Sequence, residues 1–387
     1  MLDNTIKLKY IANSFSSSLN MESVLDEGLY KVYGASGLIG YRNEYILNRD
    51  YIGIIKDGAG IGKTFLCENK TSLLGTMAYI YPKNDLTSYL PFIKYAIDAM
   101  DLGNNGGNIT TIPHIYFSKY GNNKIFYPDF NEQIKIVNYL DKKCIEIDLL
   151  FNDIRSQIEI LQDYKKSVIT EAVTKGLNSN VDMKESQIKW IGKVPKNWLI
   201  VKISNLYKIR NTKVSDTDYE PLSVTMQGIV PQLENAAKSN SHDDRKLVKK
   251  GDFVINSRSD RRGSCGISSY DGSVSLINHV LEPTQIINPV YYNWLFHSSN
   301  FSNEFYKWGH GIVADLWTTN WQDMKHIDIP FPPFQEQQEI ADYLDKKCSE
   351  IEAIITNKKE QLETLTEYKK SIIYEYVTGK KDVLDNE

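Results

Sequence analysis

Cysteine is sparse. The 387 residues hold four, Cys67, Cys144, Cys265 and Cys348, far apart and never as Cys-x-x-Cys. That spacing excludes a zinc ribbon and a dithiol redox motif, and four free thiols are expected of a cytoplasmic chain. Long apolar runs are missing too. Nothing approaches the roughly 18 residues of a membrane span. The opening MLDNTIKLKY lacks the apolar stretch of a signal peptide, so a cytoplasmic protein is expected. The six histidines, His114, His242, His279, His297, His310 and His326, are scattered, with no His-Glu-x-x-His among them. No nucleophile–base–acid set stands out, so no catalytic residue and no metal ligand is assigned. Excess positive charge is absent as well: 45 basic against 49 acidic side chains leave −4, an average that speaks against nucleic acid. What is present is globular composition, 41% hydrophobic and 24% charged, in a chain long enough for two cores.

The chain repeats itself. Residues 130–174, FNEQIKIVNYLDKKCIEIDLLFNDIRSQIEILQDYKKSVITEAVT, align without a gap on residues 334–378, FQEQQEIADYLDKKCSEIEAIITNKKEQLETLTEYKKSIIYEYVT, at an offset of 204, with 23 of 45 positions identical. Solenoid repeats have far shorter periods, so this is a tandem duplication of two large units. Pro128, and Pro332 with Pro333, precede the repeated segment, and Gly176 and Gly379 follow it; these are start and stop signals of a helix. Between them runs a 4-3 apolar spacing: Leu140, Cys144, Ile147, Phe151, Ile154, Ile158, Leu161, Lys165, Val168 and Ala172. The second copy gives Leu344, Cys348, Ile351, Ile355, Lys358, Leu362, Leu365, Lys369, Ile372 and Tyr376. Sustained over four heptads or more, this is a coiled-coil seam. Equal length and matching seams suit pairing of the two copies with each other; a helix packed on its own domain is the alternative. In an antiparallel pair the middle lies near position 153, and Cys144 and Cys348 stand roughly 27 Å apart; a parallel pair puts them side by side.

The less similar segments 1–128 and 179–333 are rich in β-branched and aromatic residues. Short runs such as Tyr51–Ile55 and Asp252–Ile255 predict strands. Helix-like stretches follow at Tyr89–Met100 and Val290–Trp308, and glycine-rich turns at Gly106–Gly107 and Gly309–Gly311. The chain thus divides into a globule at 1–128, a central helix at 129–178, a linker and second globule at 179–333, and a C-terminal helix and tail at 334–387. Net charge is 0 over residues 1–129, −1 over 130–178, +2 over 179–333 and −5 over 334–387, so the acidity lies mainly in the last. The second globule carries a basic cluster, Arg245, Lys246, Lys249, Lys250, Arg258, Arg261 and Arg262. Such a cluster can neutralise phosphates, and arginine can read guanine; an ordinary solvated loop is the plainer alternative. In the first globule the basic residues are scattered, Arg42, Arg49, Lys63 and Lys119 among them, so modest DNA affinity is expected of the chain alone.

FNEQ at Phe130–Gln133 and PPFQEQ at Pro332–Gln337, the linker WIGKVPKNW at Trp190–Trp198, and the blocks VYGASGLIGY and DGAGIGK at Val32–Tyr41 and Asp57–Lys63 together resemble the specificity subunit of type I restriction–modification systems, over essentially the whole chain. One departure is Asp129, where a second proline is usual. The resemblance implies an α+β fold: two mixed α/β target-recognition domains joined by two long helices that pair as an antiparallel coiled coil, with pseudo-two-fold symmetry. It implies a non-catalytic subunit of a bacterial or archaeal cytoplasm. Each recognition domain reads one half of a bipartite double-stranded DNA site. The paired helices set the spacer and dock two modification subunits. The chain itself then needs no cofactor. S-adenosylmethionine belongs to the modification subunits, which methylate adenine, and ATP to restriction subunits.

Two motifs are near misses. GAGIGKT at Gly58–Thr64 suggests a phosphate loop, but Asp57 stands where the first glycine is required. A glycine turn between strands is expected instead, with Lys63 and Thr64 as DNA-phosphate donors. NPVY at Asn288–Tyr291 resembles the Asn-Pro-Pro-Tyr motif of amino methyltransferases, yet Val290 replaces the second proline and no glycine-rich cofactor loop precedes it; a helix start with Pro289 in its first turn is expected. The DNA-reading candidates are Ser36, Arg42, Lys63, Thr64, Asn104, Asn105 and Asn108 in the first domain. In the second they are Arg258, Arg261, Arg262 and Ser264, with Lys249 and Lys250 on phosphates. Three other readings compete: a protein-binding adaptor that never touches DNA, an enzyme using one of the near-miss motifs, and a specificity subunit that binds DNA without partners.

Overall fold

A computed structural model describes residues 4–58, 60–103, 114–233, 243–311 and 317–383. Its contacts divide the chain into two units, Met1–Arg155 with Lys359–Glu387, and Ser156–Lys358. Each unit takes one globule and one part of each long helix. The expected Gly106–Gly107 turn and His242 lie outside the described residues.

The first globule is built on a four-stranded antiparallel sheet in the order Ala12–Ser16, Met77–Pro82, Tyr51–Ile55, Thr64–Cys67. Tyr51–Ile55 is buried at every position, which is why it reads as an unbroken apolar run. A helix, Leu90–Asp98, follows, with proline at its start. The second globule repeats this order with Tyr207–Ile209, Asn278–Pro283, Phe253–Asn256 and Cys265–Ile267, followed by a helix at Pro289–His297. The short pair Thr5–Lys7 with Lys124–Phe126 likewise has a counterpart in Leu199–Lys202 with Asp328–Phe331. The duplication therefore extends through the globules, where sequence identity had faded.

Two expected elements differ in detail. Val290–Trp308 is two helices, Pro289–His297 and Ser299–Lys307, because Ser298 adopts an extended backbone and its hydroxyl accepts from the Phe301 N–H, capping the second. The strand expected at Asp252–Ile255 runs Phe253–Asn256. Asp252 lies before it, its carboxylate accepting from the Lys249 N–H and from Arg210.

The long helices span Phe130–Lys175 and Phe334–Val377. Asp129, the departure from the expected proline, caps the first by accepting from the Glu132 N–H at 3.0 Å. Gly176 and Gly379 follow the two ends in the left-handed region, with φ of 73° and 69°. Leu140, Ile147, Ile158, Leu344, Ile351, Ile355 and Ile372 of the seam are buried, and Phe151, Ile154, Leu161, Leu362 and Leu365 are half-buried. A two-stranded seam covers its knobs from one side only, and partial exposure follows.

The pairing is antiparallel within each unit. In the first, Leu140, Cys144 and Ile147 pack in one cluster with Ile372, Tyr376 and Val377. In the second, Val168, Ala172 and Val173 share a core with Ile340, Leu344 and Cys348. One ion pair marks each unit: Lys369 to Asp148 at 2.5 Å, and Lys165 to Glu352 at 2.6 Å. Asp148 and Glu352 are repeat equivalents, as are Lys165 and Lys369, so the same bridge is made twice. The clusters also include globule residues, Phe92 and Tyr95 in the first unit and Tyr291 and Leu295 in the second. Each long helix thus meets both its sister helix and a globule. All four cysteines are free and buried. Burial raises the Cys144 and Cys348 thiols above their usual range, with Lys369 and Lys165 respectively working against the rise.

Candidate nucleic-acid interface

The globules are fastened to the helices by matched polar clamps. Gln133 is fully buried. Its carbonyl accepts from the Tyr89 N–H at 2.8 Å, and its amide donates to the carbonyls of Thr87 and Pro128. Gln337, 204 residues on, is equally buried. It accepts from the Asn288 N–H at 2.8 Å and donates to the Pro332 carbonyl. In each case the side chain satisfies a backbone donor at the start of the globule's helix, a group that has no partner within the helix. A second point lies two turns along. Tyr95 donates to Asp141 at 2.6 Å, and Trp294 donates to Asp345 at 2.7 Å. Burial, then the Asp141 carboxylate, push the Tyr95 hydroxyl far above its ordinary range.

With each sheet held this way, the turn after its most buried strand is placed by the fold. In the second globule this turn runs from Ser257 to Ser264 and contains a short 3-10 turn, Ser259–Arg261. Ser257 is tied to the Ile277 carbonyl at 2.6 Å, and the Ser259 N–H to the Trp317 carbonyl at 2.8 Å. The Arg258 and Arg261 guanidinium groups share the Asp260 carboxylate, at 3.3 and 3.8 Å. Arg262 is exposed and lies over the buried Tyr306 ring, 5.3 Å from its centroid. The Tyr306 hydroxyl in turn donates to the Arg261 carbonyl at 3.1 Å. Exposed Leu276, Ile277 and Trp317 stand at the root of the turn. Ser264 is only 5% exposed, so it supports the turn from beneath and presents no donor on its surface.

The equivalent turn of the first globule is the glycine turn expected there, joining Tyr51–Ile55 to Thr64–Cys67. Gly62 at φ 82° matches Gly263 at φ 76°. Its Cβ-less backbone also packs against Gly103, where an added Cβ would lie 2.8 Å from the Gly103 nitrogen. The cross-connections match: Asp57 bridges His114 where Arg258 bridges Thr318. The chemistry does not match. Asp57 is contacted by Lys56 and by the His114 ring. The Thr64 hydroxyl donates to Asp98, which also holds Lys94 at 2.7 Å. A cavity of about 340 Å³ beside the turn is lined by Asp98 and Asp101 together with Lys63. Carboxylates facing the turn disfavour a phosphate there, which removes both the phosphate-loop reading and the role expected of Thr64. Lys63 remains exposed.

The other expected contacts disperse. Ser36 is exposed in the turn between Tyr30–Gly34 and Gly37–Arg42, and Arg42 ends the latter strand, half-buried, 4.0 Å from Glu44. Asn104, Asn105 and Asn108 lie outside the described residues. Lys249 pairs with Asp271 at 2.8 Å, which holds its ammonium above and the Asp271 carboxyl below their usual ranges; Lys250 is exposed. These lysines precede the strand Phe253–Asn256 and the arginines follow it, up to about 26 Å of extended chain away, so the basic cluster is two patches. Arg245 and Lys246 belong to neither. Arg245 is 7% exposed and donates to the Ser273 hydroxyl and carbonyl; Lys246 donates to the Asn278 carbonyl. Burial lowers both side chains from their ordinary ranges. Asn288 of the NPVY run is buried, and its side-chain groups are engaged. It accepts from the Val290 and Tyr291 N–H groups and donates to Gln338. It is the cap of the helix expected there.

Comparison with known proteins meets this geometry. The sequence model of the family described as the type I restriction modification DNA specificity domain matches residues 4–159 and again 195–364. The chain belongs to this family. It is accordingly a DNA-specificity subunit and not itself the catalyst. The type I restriction enzyme MjaVIII specificity subunit of Methanocaldococcus jannaschii is 25% identical over 356 residues, covering 87% of this chain and 80% of the relative. The putative MjaX specificity subunit of the same organism is 25% identical over 268 residues, covering 66% and 59%. A chain from a structural study of complex assembly and conformational transition in the type I R-M system has a TM-score of 0.72 at 13% identity, covering 97% of this chain and 98% of its own. The HsdS subunit from Thermoanaerobacter tengcongensis gives 0.54 at 14%, covering 97% of each. The specificity-subunit resemblance and the α+β architecture with long helices both hold. No helix among the described residues is long and apolar enough to cross a membrane.

Sequence reasoning missed the clamps. The signal was there, because Gln133 and Gln337, and Asp141 and Asp345, are identical pairs at the offset of 204, but their partners lie far along the chain. It also missed Tyr306, whose contact with Arg262 joins a helix to a turn 44 positions earlier.

Proposed function

We propose that each globule reads one half of a bipartite site on double-stranded DNA, while the paired helices set the spacer and dock two modification subunits. In this reading S-adenosylmethionine binds to those subunits, ATP serves restriction subunits where they are present, this chain holds no cofactor, and the complex works in the cytoplasm. One observation carries it. The duplication preserves the helices, the clamps and the sheet order, yet gives equivalent turns the different contents GAGIGK and SDRRGS. A preserved frame suits a shared partner, and exchanged turns suit different targets.

The test is base-modification sequencing of host DNA with and without the gene. Adenine methylation is expected to vanish from one bipartite motif when the gene is removed. An unchanged methylome, with the modification subunit expressed, would put a protein-binding adaptor in its place.

A further inference from the structure

We propose that Arg262 reads a guanine in the half-site taken by the second domain, held for that task by the ring of Tyr306; this rests on the DNA-specificity reading above. Three arginines share the turn, and they are not equivalent. Arg258 and Arg261 lie against Asp260, which cancels part of their charge and ties them to the turn. Arg262 is exposed, with its guanidinium over the Tyr306 ring. Cation–π attraction to an aromatic face holds a guanidinium in place without using its N–H groups. Two parallel N–H groups match the O6 and N7 acceptors of guanine in the major groove.

The surroundings favour a base edge over a phosphate. Tyr306 is buried and fixed through its hydroxyl to the Arg261 carbonyl, so the platform and the turn move together. Beside the exposed Thr318, the residues exposed at the root of the turn include Leu276, Ile277 and Trp317. These are apolar side chains that suit base edges and thymine methyl groups, where a phosphate track calls for polar donors. The counterpart of Arg262 in the first domain, counted from the matched Gly62 and Gly263, is Ile61. The first half-site therefore lacks this contact.

Arg262→Ala and Arg262→Lys are expressed with the modification subunit in a host deleted for the wild-type gene, and adenine modification across the host genome is sequenced. The wild-type protein is expected to mark a bipartite motif with a guanine in one half. Arg262→Ala is expected to mark the same motif with that single position relaxed, discrimination there falling about tenfold to hundredfold, and with the other half unchanged. Arg262→Lys keeps the charge and loses the fork, and the same position relaxes. An unchanged motif in both variants overturns the proposal, as does an even loss at all sites from a complex that still co-purifies with its modification subunit. Relaxation at an A·T pair overturns it too. If Arg262→Ala fails to co-purify, Arg262→Lys decides by the same criteria. If the wild-type protein marks no bipartite motif, the specificity reading itself fails and takes the inference with it.

Discussion

The turn from Asp57 to Lys63 and the turn from Arg258 to Ser264 occupy the same place in sheets of the same strand order, and both pass through a glycine of positive φ just before the next strand. The first carries one lysine and one aspartate and faces the carboxylates of Asp98 and Asp101. The second carries three arginines against one aspartate, with an arginine guanidinium over a tyrosine ring. Beneath the turns, the glutamine and aspartate clamps are the same residues making the same kinds of bond. After duplication, a turn tolerates new side chains because its own are solvated. The glutamine clamp does not, because each of its groups answers a backbone group that would otherwise lose its partner.

Perturbing the frame should therefore act alike in both units, with one exception, and perturbing the turns should act on one half only. The exception is the largest effect. Trp198 is fully buried against Gly176 and donates to Glu336 at 2.6 Å, whereas the ring against Gly379 in the first unit is the half-buried Phe126. Trp198→Ala should cost about 3–5 kcal/mol in urea unfolding followed by circular dichroism, and Phe126→Ala clearly less. Equal losses would mean the two helix ends are anchored equivalently after all. Next, Gln133→Leu and Gln337→Leu should each cost about 1–3 kcal/mol, Gln133→Leu somewhat more because Gln133 bonds three backbone groups and Gln337 two. A larger loss at Gln337 than at Gln133 would break the symmetry of the frame. Smaller still, Lys250→Ala should weaken binding to all DNA sequences evenly and lower the slope of log affinity against log salt by about one, measured by fluorescence anisotropy on the assembled complex. A change confined to one sequence would make Lys250 a base reader. Smallest, Lys165→Ala and Lys369→Ala should each cost less than about 1 kcal/mol, since exposed ion pairs contribute little. A double-mutant cycle with Glu352 or Asp148 that returns more than that would give these bridges a structural weight their exposure does not suggest.

Much of the frame was legible. The seam could be read from Leu140 to Ile372 because helical periodicity is a local property repeated often enough to stand above noise. The stop signals at Gly176 and Gly379 were legible because a left-handed residue after a helix favours glycine. The break at Ser298 was not, since a serine that ends one helix and caps the next looks like any polar residue within an amphipathic run. Nor was the sorting of the basic cluster. Arg245 and Arg262 have the same side chain, and the first is buried on the central strand of a three-stranded sheet and bonded to Ser273 while the second is exposed over Tyr306.

The sequence alone determined that the chain is doubled, where its two long helices run, and that the segments between them diverged, because repetition and period survive in the order of residues. Only the tertiary structure decided which charges are free to meet DNA, which glutamines hold the globules, and that Thr64 is engaged by Asp98. Those outcomes depend on neighbours brought together through space by strand order. Burial and pairing arise between residues tens to hundreds of positions apart, and no local pattern records them.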